Sequence, residues 1–335
     1  MKLNIKIKDR LTKIIACIVS AGILFMLYHR LDIQSLRIIL ERLNYSYLWA
    51  ILFFSLIIQF LAALRWSLMI RTLCNRLSFY DCFKLTSSSG ALNAILPSKL
   101  GHFAKVYFMA EKNLIDLRVG ISMVFYEKLS DLAVMSFIFL IAAGVLGKMN
   151  IFILSTIFAA IVLISIHIVL HVLNISNLKF VDHIRKVKFM DKIVYFFETI
   201  FLFHQSGEIE KSRLALINLV TLILWIVYVF QTMLFFYMLA LKVPFFMIVT
   251  YMLGAMFVGI LPISIAGIGT RDLAIVYLFH GIIEYSEAVF IGMLCTLRYV
   301  LSALIGLPFL LRIIFAIDHK QNRTNLHPAE NSILD

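Results

Sequence analysis

Charge is scarce in this sequence. Only 15% of its 335 residues are Asp, Glu, Lys or Arg against 62% hydrophobic, and the mean hydropathy is +0.95. So little polar surface cannot cover a water-soluble globule of this length, which excludes an ordinary soluble catalytic domain and places the chain in a bilayer. Cysteine is scarce as well. Cys17, Cys74, Cys82 and Cys295 show no CxxC or CxxxC spacing, so neither a disulfide framework nor a zinc site is expected. The chain has no DxD motif and no glycine-rich phosphate loop, and no metal or other cofactor is expected. The net charge of +12 does not point to nucleic acid, because Lys and Arg lie in loops between apolar runs rather than in an aromatic-rich polar domain.

What is abundant is apolar sequence in runs of membrane-spanning length. A hydrocarbon core of about 30 Å needs about 20 residues of helix. The runs predict an all-α polytopic membrane protein with about six full spans, near 12–29, 46–66, 122–147, 150–173, 214–241 and 288–312. The basic start "MKLNIKIKDRLTK" resembles a signal peptide. Since His29, Arg30 and Asp32 follow where a cleavage site would stand, the first run reads as an uncleaved span.

Two further apolar segments, 85–110 and 245–283, are each broken near the middle by Pro and Gly. If both dip into the membrane and return, Arg65, Arg71, Arg76, Lys84, Lys99, Lys105, Lys112, Arg118 and the basic loop 174–213 all fall on one side. This satisfies the positive-inside rule with both termini cytoplasmic, in a bacterial inner (plasma) membrane. A deeper helical hairpin is the alternative for the second segment.

The chain then reads as two inverted repeats, about 46–147 and 214–312, each a span, a re-entrant broken segment and a span. Pro97 and Pro262 occupy matching places. Paired broken helices in inverted halves point to a midplane ligand site in a transporter, because they free backbone N–H and C=O groups in a protein-lined cavity. The connector 174–213 carries Phe180, Ile184, Val187, Phe196 and Phe197 at roughly helical spacing among basic residues. It reads either as an amphipathic helix on the membrane surface or as a packed link between the repeats. Residues 1–316 form the membrane domain, and 317–335 read as a polar, disordered tail.

Several polar residues stand out against this background. Arg298 is the one charge in "AVFIGMLCTLRYVLSALIGLPFLL", where it needs a buried partner. Glu127 and Asp131 are four apart and share a helical face. Shifting by the 165 residues between Pro97 and Pro262 puts Arg298 against position 133, near Asp131, so these charges are expected to meet across a central cavity. Glu127 and Lys128 read alternatively as interfacial. His102 and Lys105, with Lys99, follow Pro97 at helical spacing and either hold an anionic headgroup or set topology. Gln59 and Gln231 suit interhelical hydrogen bonds. Arg65 with Trp66 reads as an interface anchor.

The motifs "RW" (65–66), "NAILPSKLG" (93–101), "YEKLSDL" (126–132) and "LPISIAGIGTRD" (261–272), in this order, resemble the flippase-like transmembrane domain of the lysylphosphatidylglycerol synthase family over about residues 10–316. Lys128, His102 and Asp272 stand where the family commonly has Arg, an acidic residue and Glu. The resemblance implies a lipid translocase fold and membrane lipids or a lipid-linked glycan as partners, with cell-envelope biosynthesis enzymes as possible associates. Carried onto this chain, it adds Asn93, Pro97, Pro262, Gly267, Gly269, Arg271 and Asp272 to the substrate-binding candidates Lys99, His102, Lys105, Glu127, Lys128, Asp131 and Arg298. The expected function is movement of an anionic or modified phospholipid or a lipid-linked saccharide between leaflets, with no aminoacyl-transfer domain. The alternative is a membrane-embedded transferase acting on polyprenyl-phosphate sugars, with Glu127 or Asp131 as base.

Overall fold

The computed structural model describes residues 20–29, 31–73, 77–95, 101–147, 151–172, 203, 211–260, 264 and 267–326. Among these residues the structure is helical throughout, without a named strand. The helices are α1 (Ser20–His29), α2 (Ile33–Arg42), α3 (Ser46–Ile70), α4 (Phe79–Ile95), α5 (Gly101–Glu111), α6 (Leu117–Leu146), α7 (Ile151–Val172), α8 (Lys211–Met238), α9 (Phe245–Ile260), α10 (Thr270–Leu278) and α11 (Tyr285–Leu326).

Four stretches, Ser46–Ile70, Leu117–Leu146, Ser212–Met238 and Tyr285–Ile313, are long and apolar enough to cross a membrane. Local chemistry sets their ends. The Asp116 carboxylate accepts from the backbone N–H groups of Arg118 and Val119, capping α6 five residues before the start read from hydropathy, and Gly147 closes it in the left-handed conformation at φ 65°. Only 22% of the most apolar window of α3 is buried, and Trp49 and Phe53 are largely exposed, so this outward surface is apolar and suited to lipid.

The helices fall into two groups with one order, long, short, short, long: α3 to α6, then α8 to α11. At about 1.5 Å per residue, the 17-residue α4 is about 26 Å long and the 9-residue α10 about 14 Å, so neither crosses a core of about 30 Å. The groups interlock. The long helices α3 and α8 pack along each other, α4 lies against α11 of the other group, and α9 lies against α6. The α4–α11 crossing relies on small residues: a Cβ at Gly90 would lie 2.7 Å from Ser302 Oγ, and one at Gly306 would strike the Ser87 carbonyl. Lipid gives helices no hydrophobic reason to associate, so close backbone approach and hydrogen bonding hold them. Gln59 donates to Ser87 Oγ (2.9 Å) and accepts from Ser302 Oγ (3.2 Å), joining α3, α4 and α11. Gln231 donates to Ser55 Oγ (2.6 Å) and the Ile51 carbonyl (2.9 Å), joining α8 to α3.

One element is not anticipated from the sequence, and one reading changes. The connection after the first run contains α2, capped by Asp32, which buries Ile39 and pairs Arg37 with Glu41 on its exposed face. The last helix continues to Leu326, ten residues into the segment expected to be a disordered tail. Apart from Phe203 and residues 211–213, the amphipathic connector 174–213 lies outside the described residues, as do Pro97, Lys99 and Pro262.

Candidate functional site

Both short-helix pairs turn on a glycine that allows close approach. A Cβ on Gly101 at the start of α5 would lie 2.6 Å from the backbone nitrogen of Asn93 in α4. One on Gly267, before α10, would lie 2.5 Å from the carbonyl oxygen of Gly259 in α9. The residue spacing is the same in both pairs. Gly267 and Gly269 also have φ of 78° and 96°, values an L side chain resists. Asn93, beside Gly101, keeps its buried Oδ1 without a hydrogen-bond partner.

Behind the first glycine lies a charge cluster built from four helices. Glu127 and Asp131 lie on one face of α6, as their spacing requires. Arg65 of α3 reaches both, with Nη2 3.0 Å from Glu127 Oε1 and Nη1 2.5 Å from Asp131 Oδ1, and its Nη1 also donates to Thr221 of α8 at 3.4 Å. Lys105 of α5 donates to Glu127 Oε2 at 2.5 Å and lies 3.7 Å over the Trp66 ring. Lys128 lies 3.6 Å from Glu127 and 3.4 Å from Asp131, His102 Nδ1 lies 3.8 Å from Glu127 Oε1, and Trp225 of α8 donates to Asp131 at 3.2 Å. Arg65, Lys105 and Glu127 are buried. Desolvating each charge is costly, and the low dielectric that makes it so also strengthens the pairs, so the cluster is stable only while complete.

Behind the second glycine the arrangement is shorter-range. Arg271 of α10 pairs with its neighbour Asp272 through Nε (2.9 Å) and Nη2 (2.5 Å). It also donates to the Gly292 carbonyl (3.1 Å) and Thr296 Oγ1 (2.8 Å) on α11. Asp272 Oδ2 in turn accepts from the Gly269 N–H at 3.0 Å, fixing the turn into α10. Gly292 leaves room for this: a Cβ there would lie 3.0 Å from Asp272 Oδ1.

Arg298 stands apart from both clusters, and its expected pairing is corrected. It does not meet Asp131 or Glu127, because Arg65 occupies that place. Its Nη2 donates to Thr232 Oγ1 at 2.9 Å. The guanidinium carbon lies 3.8 Å from the centroid of Tyr228 and 4.9 Å from that of Phe235. Arg298 is 6% exposed, and its Nε and Nη1 are buried without a hydrogen-bond partner among the described residues. Tyr228, Thr232 and Phe235 lie along one stripe of α8 and form an aromatic cage. Among the buried cations of the described residues, Arg65, Lys105 and Arg271 each have a carboxylate, and Arg298 has none.

His102, Lys105, Glu127, Lys128 and Asp131 are thus brought together. Gly267, Gly269, Arg271 and Asp272 form the second group. Sequence reasoning missed Arg65 and Trp66 as members of the first cluster, and also Thr221, Trp225 and the Arg298 cage. Among the described residues no group of three or more His, Cys, Asp or Glu is placed to hold a metal.

These features define an all-helical, multi-pass membrane protein with charged groups buried between its helices. A family model described as the lysylphosphatidylglycerol synthase TM region matches residues 13–306, and the chain belongs to that family. Comparison with curated proteins and with solved structures gives no match.

Proposed function

We propose that this chain is a lipid translocase, moving an anionic or modified phospholipid or a lipid-linked saccharide across the bacterial inner membrane, and that it catalyses no chemical conversion. The observation that carries this reading is Arg298: a guanidinium more than nine-tenths buried, with two nitrogens that have no acceptor among the described residues. A buried cation needs an anion, and the planar donor fork of arginine fits a phosphate oxygen pair. The rings of Tyr228 and Phe235 offset part of the desolvation, by about 0.5–2 kcal/mol for a cation over an aromatic face. They do so without consuming the in-plane donors, which stay available to an anionic ligand.

The two helix groups act in this reading as inverted repeats, about 46–147 and 214–312, with α4–α5 and α9–α10 as re-entrant pairs. Six full spans carry them, and both termini are cytoplasmic. The exchanged packing of α4 on α11 and α9 on α6 supports this, since a pseudo-two-fold axis requires such reciprocity. The Arg65–Glu127–Lys105 lattice then serves as a latch between α3, α5 and α6, opening and closing one side of the path. Asn93, His102, Lys128, Asp131, Gly267, Gly269, Arg271 and Asp272 frame the route. Membrane lipids or a lipid-linked glycan are the cargo, and cell-envelope biosynthesis enzymes supply or consume it.

The test is reconstitution of the full chain into liposomes carrying fluorescent phosphatidylglycerol, with dithionite bleaching of the outer leaflet. Translocation is expected to exceed that of protein-free vesicles. If acidic, aminoacylated and polyprenyl-linked lipids all stay in place, the translocase reading fails. Conversion of a polyprenyl-phosphate sugar to a new product would establish the transferase instead.

A further inference from the structure

A second site lies at the edge of the molecule. A cleft of about 350 Å³ opens between the start of α4, the end of α5 and the outer end of the apolar part of α11. Its level follows from the chain that lines it: Ile313 ends the apolar part of α11, Leu77 follows the end of α3 at Ile70, and Leu114 shortly precedes the start of α6 at Leu117. One span end in the wall and two connections leading from or into spans set the cleft at the boundary where the apolar core gives way to headgroups.

The lining divides accordingly. Tyr80, Phe108 and Phe309 give an aromatic wall, with Tyr80 and Phe309 meeting edge to face at 6.4 Å between centroids. On the polar side Asp81 is already committed. It pairs with Lys84 at 2.7 Å, and hydrogen bonds from Lys84 and Ser78 hold its carboxyl below the usual range, so it remains the anion that neutralises Lys84. Lys84 in turn lies 4.7 Å over the Tyr80 ring. That leaves Lys112 and Arg312, both exposed and with no ion pair among the described residues, facing the cleft with Glu111. They come from parts of the chain far apart in sequence and converge here, so the rim carries an excess of one positive charge over Asp81 and Glu111.

We infer that this cleft is a lateral binding site for an acidic glycerophospholipid of the adjoining leaflet. Lys112 and Arg312 hold its phosphate, and an acyl chain lies along Tyr80, Phe108 and Phe309. A basic pair at headgroup depth above an aromatic trough matches the two ends of such a lipid in charge and polarity. The inference does not rest on the translocase reading. The site is separate from Arg298, and a lipid held there serves as a bound annular lipid whether or not anything is moved.

The test uses the full chain in phosphatidylcholine nanodiscs containing a small fraction of phosphatidylglycerol with a diazirine near the top of one acyl chain. Irradiation and peptide mass spectrometry are expected to place adducts on Tyr80, Phe108 or Phe309. The double variant Lys112→Ala with Arg312→Ala should lower them about five-fold or more, and Arg312→Lys alone should retain most of the signal. Adducts at the outward residues Trp49 and Phe53 should not change, which reports folding within the same sample. Undiminished cleft labelling in the double variant overturns the inference, as does equal labelling by a phosphatidylcholine probe with the same diazirine. Protection by millimolar glycerol 3-phosphate, which has no acyl chains, would make the cleft a site for a soluble phosphate ester and also overturn it.

Discussion

The two helix groups solve the problem of buried charge differently. In the first, Arg65, Lys105 and Lys128 surround Glu127 and Asp131, and the contacts tie α3, α5, α6 and α8 together. In the second, α11 offers the Gly292 carbonyl and the Thr296 hydroxyl to Arg271, whose one carboxylate among the described residues is the adjacent Asp272. A lattice spanning four helices must be broken for those helices to part, whereas a pair of sequence neighbours moves as one unit with α10. The first group is therefore the more rigidly tied of the two. The second keeps its cation local and leaves Arg298 with donors to spare.

That contrast can be broken from its strong end downward. Arg65→Met removes the one cation that bridges both carboxylates at hydrogen-bond distance, and Glu127→Gln leaves the fully enclosed Lys105 without its anion. Each should cost about 3–5 kcal/mol, the cost of stripping one partner from a buried pair, seen as early loss of the monodisperse peak in heated size-exclusion runs. Arg271→Met should cost less, about 1.5–3 kcal/mol, because Asp272 keeps its hydrogen bond from Gly269; graded SDS unfolding would show the difference. Gly306→Val tests the α4–α11 crossing. A side chain there meets the Ser87 backbone, and overpacking of about 1–3 kcal/mol is expected, with reduced yield of folded protein. Equal losses for Arg65→Met and Arg271→Met would erase the distinction between latch and local pair.

Much of this was legible in the residues, and the failures have physical causes. The breaks in the two apolar segments were marked by Pro97, Gly101, Pro262, Gly267 and Gly269, because few residues interrupt a helix so decisively. The shared face of Glu127 and Asp131 follows from helical periodicity alone. Arg65 was misread because "RW" at the end of an apolar run has the composition of an interface anchor. The helix in fact continues to Ile70, which draws Arg65 inward and opposite α6. Arg298 was recognisable as a misfit in its span, but a shift along the sequence says nothing about which helix faces it across the bundle. Tyr228, Thr232 and Phe235 are a stripe on α8 that could have been found as an aromatic cage, yet ordinary core packing produces the same pattern.

Arg298→Met is the smallest expected perturbation of stability and the most direct test of the account. Replacing a guanidinium that has no carboxylate partner by an apolar side chain of similar length should change stability by no more than about 1 kcal/mol. The same variant, reconstituted at matched abundance, should move fluorescent phosphatidylglycerol at least about ten-fold more slowly, the effect of losing roughly 1.4 kcal/mol of phosphate binding. Arg298→Lys should fall between the two, because a point charge cannot reproduce the fork. A nearly unchanged melting temperature with transport slowed at least about ten-fold is the predicted result. Wild-type transport rates in Arg298→Met would show that the caged arginine does not hold the cargo and would contradict the account.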